Sequence, residues 1–395
     1  MFYLRWLSLA LVMILLFPFQ VLASDSSLNL HSEAVILLDA KSGQVLYEKN
    51  SKVKMYPASI TKIITGIMAI ESGRLDEEAT TSKRARWAEG TRIYLAQDEK
   101  KPLHDLVYGL MMNSGNDAAI VIAEHLGGTV ENFAEQMNAF VNEKIGNNES
   151  NFVNPHGLFA ENHYTTAYDM AMIARYAMKN PMFREIVSTK RRVWHGAEWE
   201  SHLVNHNKLL WRYDGATGIK NGYVTQSGNT LVSSATRGGM DLIVVALKAQ
   251  GSEKVYADTI QLFDYAFEQF DTRRLFSKGK RWVAEDGKAW EAIEDVFLTV
   301  KKGDSISYKV QDNGDVLAAT GGKKQMITGK LVGIEDKMAE STLSLGPKEE
   351  ARSVEESSER SSQLFLLGIT GLLFFILAGA WMWWRKASDK SKKAS

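Results

Sequence analysis

Ser59 stands three residues before Lys62 in "YPASITKIITGIMAI", Tyr56 to Ile70, a run that is otherwise almost wholly apolar. Helical positions i and i+3 share a face, so the two side chains can touch. A lysine among Ile and Met costs several kcal/mol unless it sheds its proton or finds partners. A serine hydroxyl is a weak nucleophile until a base takes its proton, and a lysine of lowered pKa can be that base. The first turn of a helix adds free N–H groups and a positive dipole end, both favourable to negative charge on oxygen. The competing reading is a capping serine beside an exposed lysine, because S-x-x-K is common by chance.

Two further stretches bear on the choice. "MMNSGNDAA" sets Ser114-Gly115-Asn116 between apolar helical segments, where a break can push a hydroxyl and an amide into a cleft. The alternative is a helix-to-helix turn capped by Asn116 and Asp117. "GATGIKNGYVTQSGNTLV" sets Lys220-Asn221-Gly222 just ahead of an expected strand. Gly222 would let a ligand backbone come close, and Lys220 would offer charge to a carboxylate. The alternative is a surface turn, since Asn-Gly is a common hairpin dipeptide.

Other chemistries find little support. None of the eight histidines falls in an H-E-x-x-H spacing, and there is no cysteine, so no metal is expected, and disulfides and thiolate chemistry are excluded. No glycine-rich phosphate loop opens a helix, so no cofactor is expected. His156 and His163 read as loop hydrogen-bonders, and Tyr168 and Asp169 as packing and capping. Trp194, Trp199 and Trp211 could stack on glycan, but buried anchors are commoner. Lys plus Arg equals Asp plus Glu at 47 each, a balance that argues against nucleic acid as partner.

Elements must hold these residues in place. Ala34 to Tyr47 reads as a β-hairpin around Lys41-Ser42-Gly43. The Ser59 helix follows, with Pro57 near its start. Leu103 to Leu126 is helical apart from the polar insert, and Thr165 to Met182 has helical spacing. Thr230 to Leu247 reads as two strands around Gly238-Gly239, and Val255 to Phe267 as a helix. The fold class is therefore α/β (α+β), with a mainly antiparallel sheet and a helical cluster. From Thr272 the pattern becomes short alternating segments with turn signals, a small all-β domain.

The chain has 395 residues, 45% hydrophobic and 24% charged, enough for two or three domains. Residues 1–23 read as a secretory signal peptide, with an uncleaved anchor as alternative. Residues 364–384 form an uncharged apolar run of about the 20 residues that span a bilayer, ending in Trp381, Trp383 and Trp384. A basic tail, 385–395, follows and should stay cytoplasmic. The expected organisation is 24–271 catalytic, 272–346 β-rich, 347–363 a flexible linker and 364–384 a membrane helix, with residues 24 to about 345 outside the cell.

The three elements, in this order, resemble the S-x-x-K, S-x-N and K-T-G triplet of penicillin-binding proteins and serine β-lactamases. "LVYGLMMNSGNDAAIVIAEHLGG", "FVNPHGL", "HYTTAYDMAMIARYAM", "NHNKLL" and "DGATGIKNGY" look like the low-molecular-mass D-alanyl-D-alanine carboxypeptidases of serine peptidase family S11. The likeness covers about Leu28 to Phe270, and the late β-rich segment is similar in place to that family's second domain. The resemblance implies that Ser59 attacks the penultimate D-alanine carbonyl of a peptidoglycan stem pentapeptide while Lys62 accepts its proton. It implies that Ser114 helps protonate the leaving D-alanine and Asn116 holds the acyl-chain amide. Lys220 would contribute field and bind the terminal carboxylate, and the N–H groups of Ser59 and Tyr223 would form the oxyanion hole. β-Lactams would acylate Ser59.

Asn221 departs from the family, which usually has threonine there to help bind the substrate carboxylate. Two rivals follow: a catalytically weak binder of wall peptides, and a β-lactamase on the same scaffold, for which no deacylating carboxylate can be assigned.

Overall fold

The computed structural model describes residues 28–146, 149–284, 287–321 and 326–334. The expected signal peptide, linker, membrane helix and basic tail lie outside the described residues. Among the described residues, no helix is long and apolar enough to cross a membrane.

The chain forms two compact units. The larger reaches Arg274 and takes in Phe297–Ile306. Its centre is a five-stranded antiparallel sheet of β1 (Ala34–Asp39), β2 (Val45–Lys49), β3 (Ala216–Val224), β4 (Gly228–Arg237) and β5 (Met240–Ala249), in the order β2-β1-β5-β4-β3. Alternation sorts the side chains of β1 onto two faces. Ala34, Ile36 and Leu38 join the core under the helical cluster. Val35 and Leu37 join a second core with Val255, Leu262 and Phe263. Those three belong to the C-terminal helix Ser252–Gln269. A strand buried on both faces reads as a continuous apolar run, which is why "AVILLD" carries no polar alternation.

The helical cluster contains α1 (Lys62–Glu71), α2 (Leu103–Met112), α3 (Asn116–Gly127), α4 (Val130–Ile145) and α5 (Ala167–Ala177). α1 is buried almost all round, from Lys62 to Ile70. It runs through the middle of the cluster against α2 and α5, and Gly66 lets Met111 of α2 approach closely. The helical pattern expected to continue to Met182 stops at Ala177. A new helix starts at Pro181, because the Asn180 side chain accepts the N–H groups of Met182 and Phe183.

The smaller unit comprises Leu275–Val296, Ser307–Ala319 and the last described strands. Its described elements are short strands around Phe276, Trp290, Val296, Val310 and Val316. The division is thus not one cut in the sequence. Thr299 stays with the larger unit, where it exchanges hydrogen bonds with Gln44 and bonds the Ser42 hydroxyl.

Candidate active site

Ser59 lies in a single 3-10 turn, Ala58–Thr61, immediately ahead of α1. It is not inside the α-helix, as the spacing suggested. The 3-10 geometry eclipses positions three apart, so the pair still meets. Lys62 Nζ donates to Ser59 Oγ at 3.0 Å. It also donates to Asn116 Oδ1 at 2.7 Å and to the His156 carbonyl at 2.6 Å. Lys62 has no solvent exposure, whereas Ser59 is half-buried and open to the cleft.

Asn116 opens α3, beyond the break that the sequence placed at Ser114-Gly115. Ser114 is in the left-handed region, φ +62, and its hydroxyl forms no hydrogen bond with another described residue. Asn116 is tied down on its far side, giving Nδ2–H to the Glu89 carbonyl at 2.6 Å and its N–H to that of Thr91 at 2.7 Å. Asp117 beside it is fully buried and accepts N–H groups from Ile93, Leu95 and Ala118. That latch fixes the wall facing Lys62. Burial pushes the Asp117 carboxyl up, against the pull of those backbone donors.

The Lys220-Asn221-Gly222 segment is not ahead of a strand but within β3, the last strand of the sheet. This corrects the expected placement ahead of the strand, and the surface-turn alternative falls with it. Gly222 presses on the Ser59 turn: a Cβ there would lie 2.7 Å from Ser59 N and 2.6 Å from Thr230 Oγ1. Thr230, opposite Gly222 on β4, holds the turn by donating to the Pro57 carbonyl at 2.8 Å. Lys220 is 1% exposed, and its Nζ donates to the Asn221 carbonyl at 2.9 Å and to Asn221 Oδ1 at 3.4 Å. Tyr223, the next residue, is 61% exposed.

Two buried cations so close cannot both keep ordinary pKa values. Burial pushes Lys220 down to about 7. Lys62 goes well below its usual range, first through burial and then through the Lys220 charge, against a smaller opposing pull from Asp117. Both effects favour the uncharged form of Lys62, the form that can accept a proton from Ser59.

Three contributors carried no readable signal. The His156 carbonyl is a backbone atom, held in place by an Asn154 turn in which Asn154 Oδ1 accepts the His156 and Gly157 N–H groups. Gly157, φ +89, packs so tightly on the Ala58 carbonyl that no side chain fits. Thr230 looked like an ordinary strand residue. The histidines are engaged in the wall: His163 accepts Val153 N–H at Nδ1, so its Nε2–H donates to Thr61 Oγ1 at 2.9 Å. Burial and the nearby Lys62 hold His156 at about 3 and His163 at about 4, both neutral. Trp194 is buried, as an anchor would be, while Trp211 is 45% exposed. Among the described residues, no group of His, Asp or Glu could hold a metal ion.

A nucleophile, a buried lysine of lowered pKa, a second polar turn and a strand edge with a second buried lysine thus share one cleft. The model of peptidase family S11, described as D-alanyl-D-alanine carboxypeptidase, matches residues 21–251. Over 306 residues the chain is 30% identical to the D-alanyl-D-alanine carboxypeptidase DacF of Bacillus subtilis (strain 168), spanning 73% of this chain and 78% of that one. It is likewise 30% identical to DacA of Escherichia coli (strain K12), a D-alanyl-D-alanine carboxypeptidase, over 70% of this chain and 72% of that one. Among solved structures, penicillin binding protein 5 from Haemophilus influenzae aligns with a TM-score of 0.69 at 27% identity, covering 77% of this chain and 96% of that one. With its sheet, its helical cluster and this cleft, the chain belongs to peptidase family S11, the D-alanyl-D-alanine carboxypeptidases.

Proposed function

We propose that this D-alanyl-D-alanine carboxypeptidase acts through an acyl-enzyme on Ser59, releasing the terminal D-alanine of peptidoglycan stem pentapeptides. The observation that carries the reading is the 3.0 Å contact between the Ser59 hydroxyl and the Lys62 amine, whose pKa burial and Lys220 both lower. Lys62 takes the hydroxyl proton as Oγ attacks the penultimate D-alanine carbonyl. The oxyanion falls between the N–H groups of Ser59 and Tyr223. Ser114, with a hydroxyl uncommitted among the described residues, relays the proton to the leaving D-alanine nitrogen. Lys220 and Asn221 receive the terminal carboxylate, and Asn116 holds the acyl chain. Water then hydrolyses the ester. β-Lactams fill the same place and acylate Ser59.

The wall-peptide binder rested on Asn221, but Asn221 contacts Lys220 and leaves the acylating pair complete. Mass spectrometry after benzylpenicillin treatment tests the proposal. A single adduct mapping to Ser59, lost in Ser59→Ala together with D-alanine release, is expected. An adduct elsewhere would refute it.

The pH profile provides a second check. With Lys220 at about 7, kcat/KM should fall on the alkaline side as Lys220 loses its proton and with it the carboxylate-binding charge. Lys220→Arg, which keeps its charge at all accessible pH, should move that limb upward by more than one pH unit. An unmoved limb would assign it to another group.

Export and anchoring complete the proposal: residues 1–23 as leader, and 364–384 as a single membrane helix holding the catalytic domain on the outer face. What supports this is the sequence alone, an apolar run of spanning length with a basic flank.

A further inference from the structure

The loop that fastens Asn116 carries two exposed rings. Asn116 gives its Nδ2–H to the Glu89 carbonyl and its N–H to that of Thr91, while Asp117 accepts the N–H groups of Ile93 and Leu95. Beside these ties stand Trp87, 65% exposed, and Tyr94, 45% exposed. Three hydrogen bonds in series, through Lys62 and Asn116, link Ser59 Oγ to the Glu89 carbonyl. Trp87 is two residues further along the chain, no more than about 7 Å of backbone. The rings therefore stand on the rim of the cleft that holds Ser59.

Neither ring is loose. The Arg86 guanidinium lies over Trp87 at 5.0 Å, and Arg86 is itself held by Glu198 and, through its carbonyl, by Arg92. Arg92 lies over the Tyr94 ring at 5.2 Å, and the Trp199 ring meets Tyr94 edge-on at 5.5 Å. Tyr94 has φ +57, a left-handed conformation that a bulky side chain keeps only where its surroundings impose it. Backbone outliers of this kind gather at ligand sites. Two exposed rings fixed in a strained loop do little for the core, but they offer a ligand a flat apolar surface already in place.

The two arginines nearest Trp87 in sequence are already matched, Arg84 with Glu131 at 2.9 Å and Arg86 with Glu198, so neither has a free charge to offer an anion. What remains is an apolar face edged with polar groups, which suits the C–H face and hydroxyl rim of an uncharged sugar. On the carboxypeptidase reading the stem peptide hangs from one. Four residues separate the scissile carbonyl from that sugar, about 13–14 Å when extended, enough to carry it past Asn116 to the rim. We propose that Trp87 and Tyr94 form a platform for the glycan strand of peptidoglycan, outside the cleft that takes the peptide. The proposal rests on the carboxypeptidase reading and gives the enzyme a second hold on its polymeric substrate.

The test has two readouts. D-alanine release is measured from a free acetylated pentapeptide and from the same pentapeptide borne on glycan chains. Trp87→Ala should lower kcat/KM on the glycan-borne substrate about tenfold and leave the free peptide unchanged, and Trp87→Phe should recover most of the loss. Titration calorimetry with soluble glycan chains stripped of peptide should show binding to the wild type that weakens in Trp87→Ala and in Tyr94→Ala and changes little with salt. Equal loss on both substrates, or unchanged binding of stripped glycan in Trp87→Ala, would overturn the platform while leaving the carboxypeptidase assignment standing. Binding abolished by salt would point to an anionic ligand and overturn it as well. Release of no D-alanine from either substrate by the wild type would remove the parent reading, and the calorimetry alone would then decide the platform.

Discussion

Lys62→Met should lower kcat/KM for D-alanine release by about a thousandfold or more, the range expected when a positioned general base is lost. Penicillin acylation should slow in parallel, because both reactions begin with the same proton. The variant should also fold, since methionine matches the buried volume among Ile63, Ile64 and Ile67. Its stability should respond differently to pH. Folding depresses the Lys62 pKa, so between the folded and unfolded values the unfolded chain binds the extra proton. Stability then rises with pH across that window and is lowest below the folded value. Lys220 contributes the same sign between about 7 and 10.5. Thermal midpoints of the wild type should climb from neutral toward alkaline pH, and Lys62→Met should flatten the climb. A variant with near-normal turnover, or an unchanged climb, would contradict the neutral-amine mechanism.

Gly222→Ala should cost about a hundredfold in kcat/KM, comparable to losing one oxyanion donor. The new Cβ would fall 2.7 Å from Ser59 N, 2.6 Å from Thr230 Oγ1 and 3.1 Å from the Ala58 Cβ. The Thr230 hydroxyl can rotate, but the Ser59 backbone cannot without disturbing the turn that aims Oγ. The strand must therefore retreat, which opens the space between the Ser59 and Tyr223 N–H groups. Overpacking of this kind costs about 1–3 kcal/mol, so the variant should remain folded at room temperature. Acylation rates by stopped-flow penicillin binding, with thermal midpoints as control, separate the chemical loss from unfolding. Wild-type acylation in a folded Gly222→Ala protein would show that the turn and the strand do not form one hole.

What the sequence disclosed follows the range of the interactions involved. Ser59 and Lys62 are legible because their contact is set by local spacing. The break at Ser114-Gly115-Asn116 is legible because polar residues interrupt an apolar helix. Lys220-Asn221-Gly222 was placed just ahead of a strand instead of within it, and only the approach of a distant segment, the Ser59 turn, explains a glycine inside β3. The His156 carbonyl has no side-chain signature at all. The late β-rich region was legible as strands through its turn dipeptides, but Thr299's bonds to Gln44 and Ser42 are long-range, and no local pattern announces them. The S11 resemblance supplied the order of the motifs; the geometry supplied the asymmetry between the two lysines.

The sheet ends at β3, so among the described residues one side of that strand has no partner strand. An unpaired border of this kind invites neighbouring copies as readily as it invites ligand, and soluble proteins must discourage the former. Here the deterrents are the catalytic groups themselves. A lysine that must stay submerged and a glycine pinned beneath a serine leave the border too crowded for a second sheet to stack along it. The stretch proposed to receive the substrate terminus thus also crowds the open border of the sheet, and three residues guard an edge as well as line a cleft.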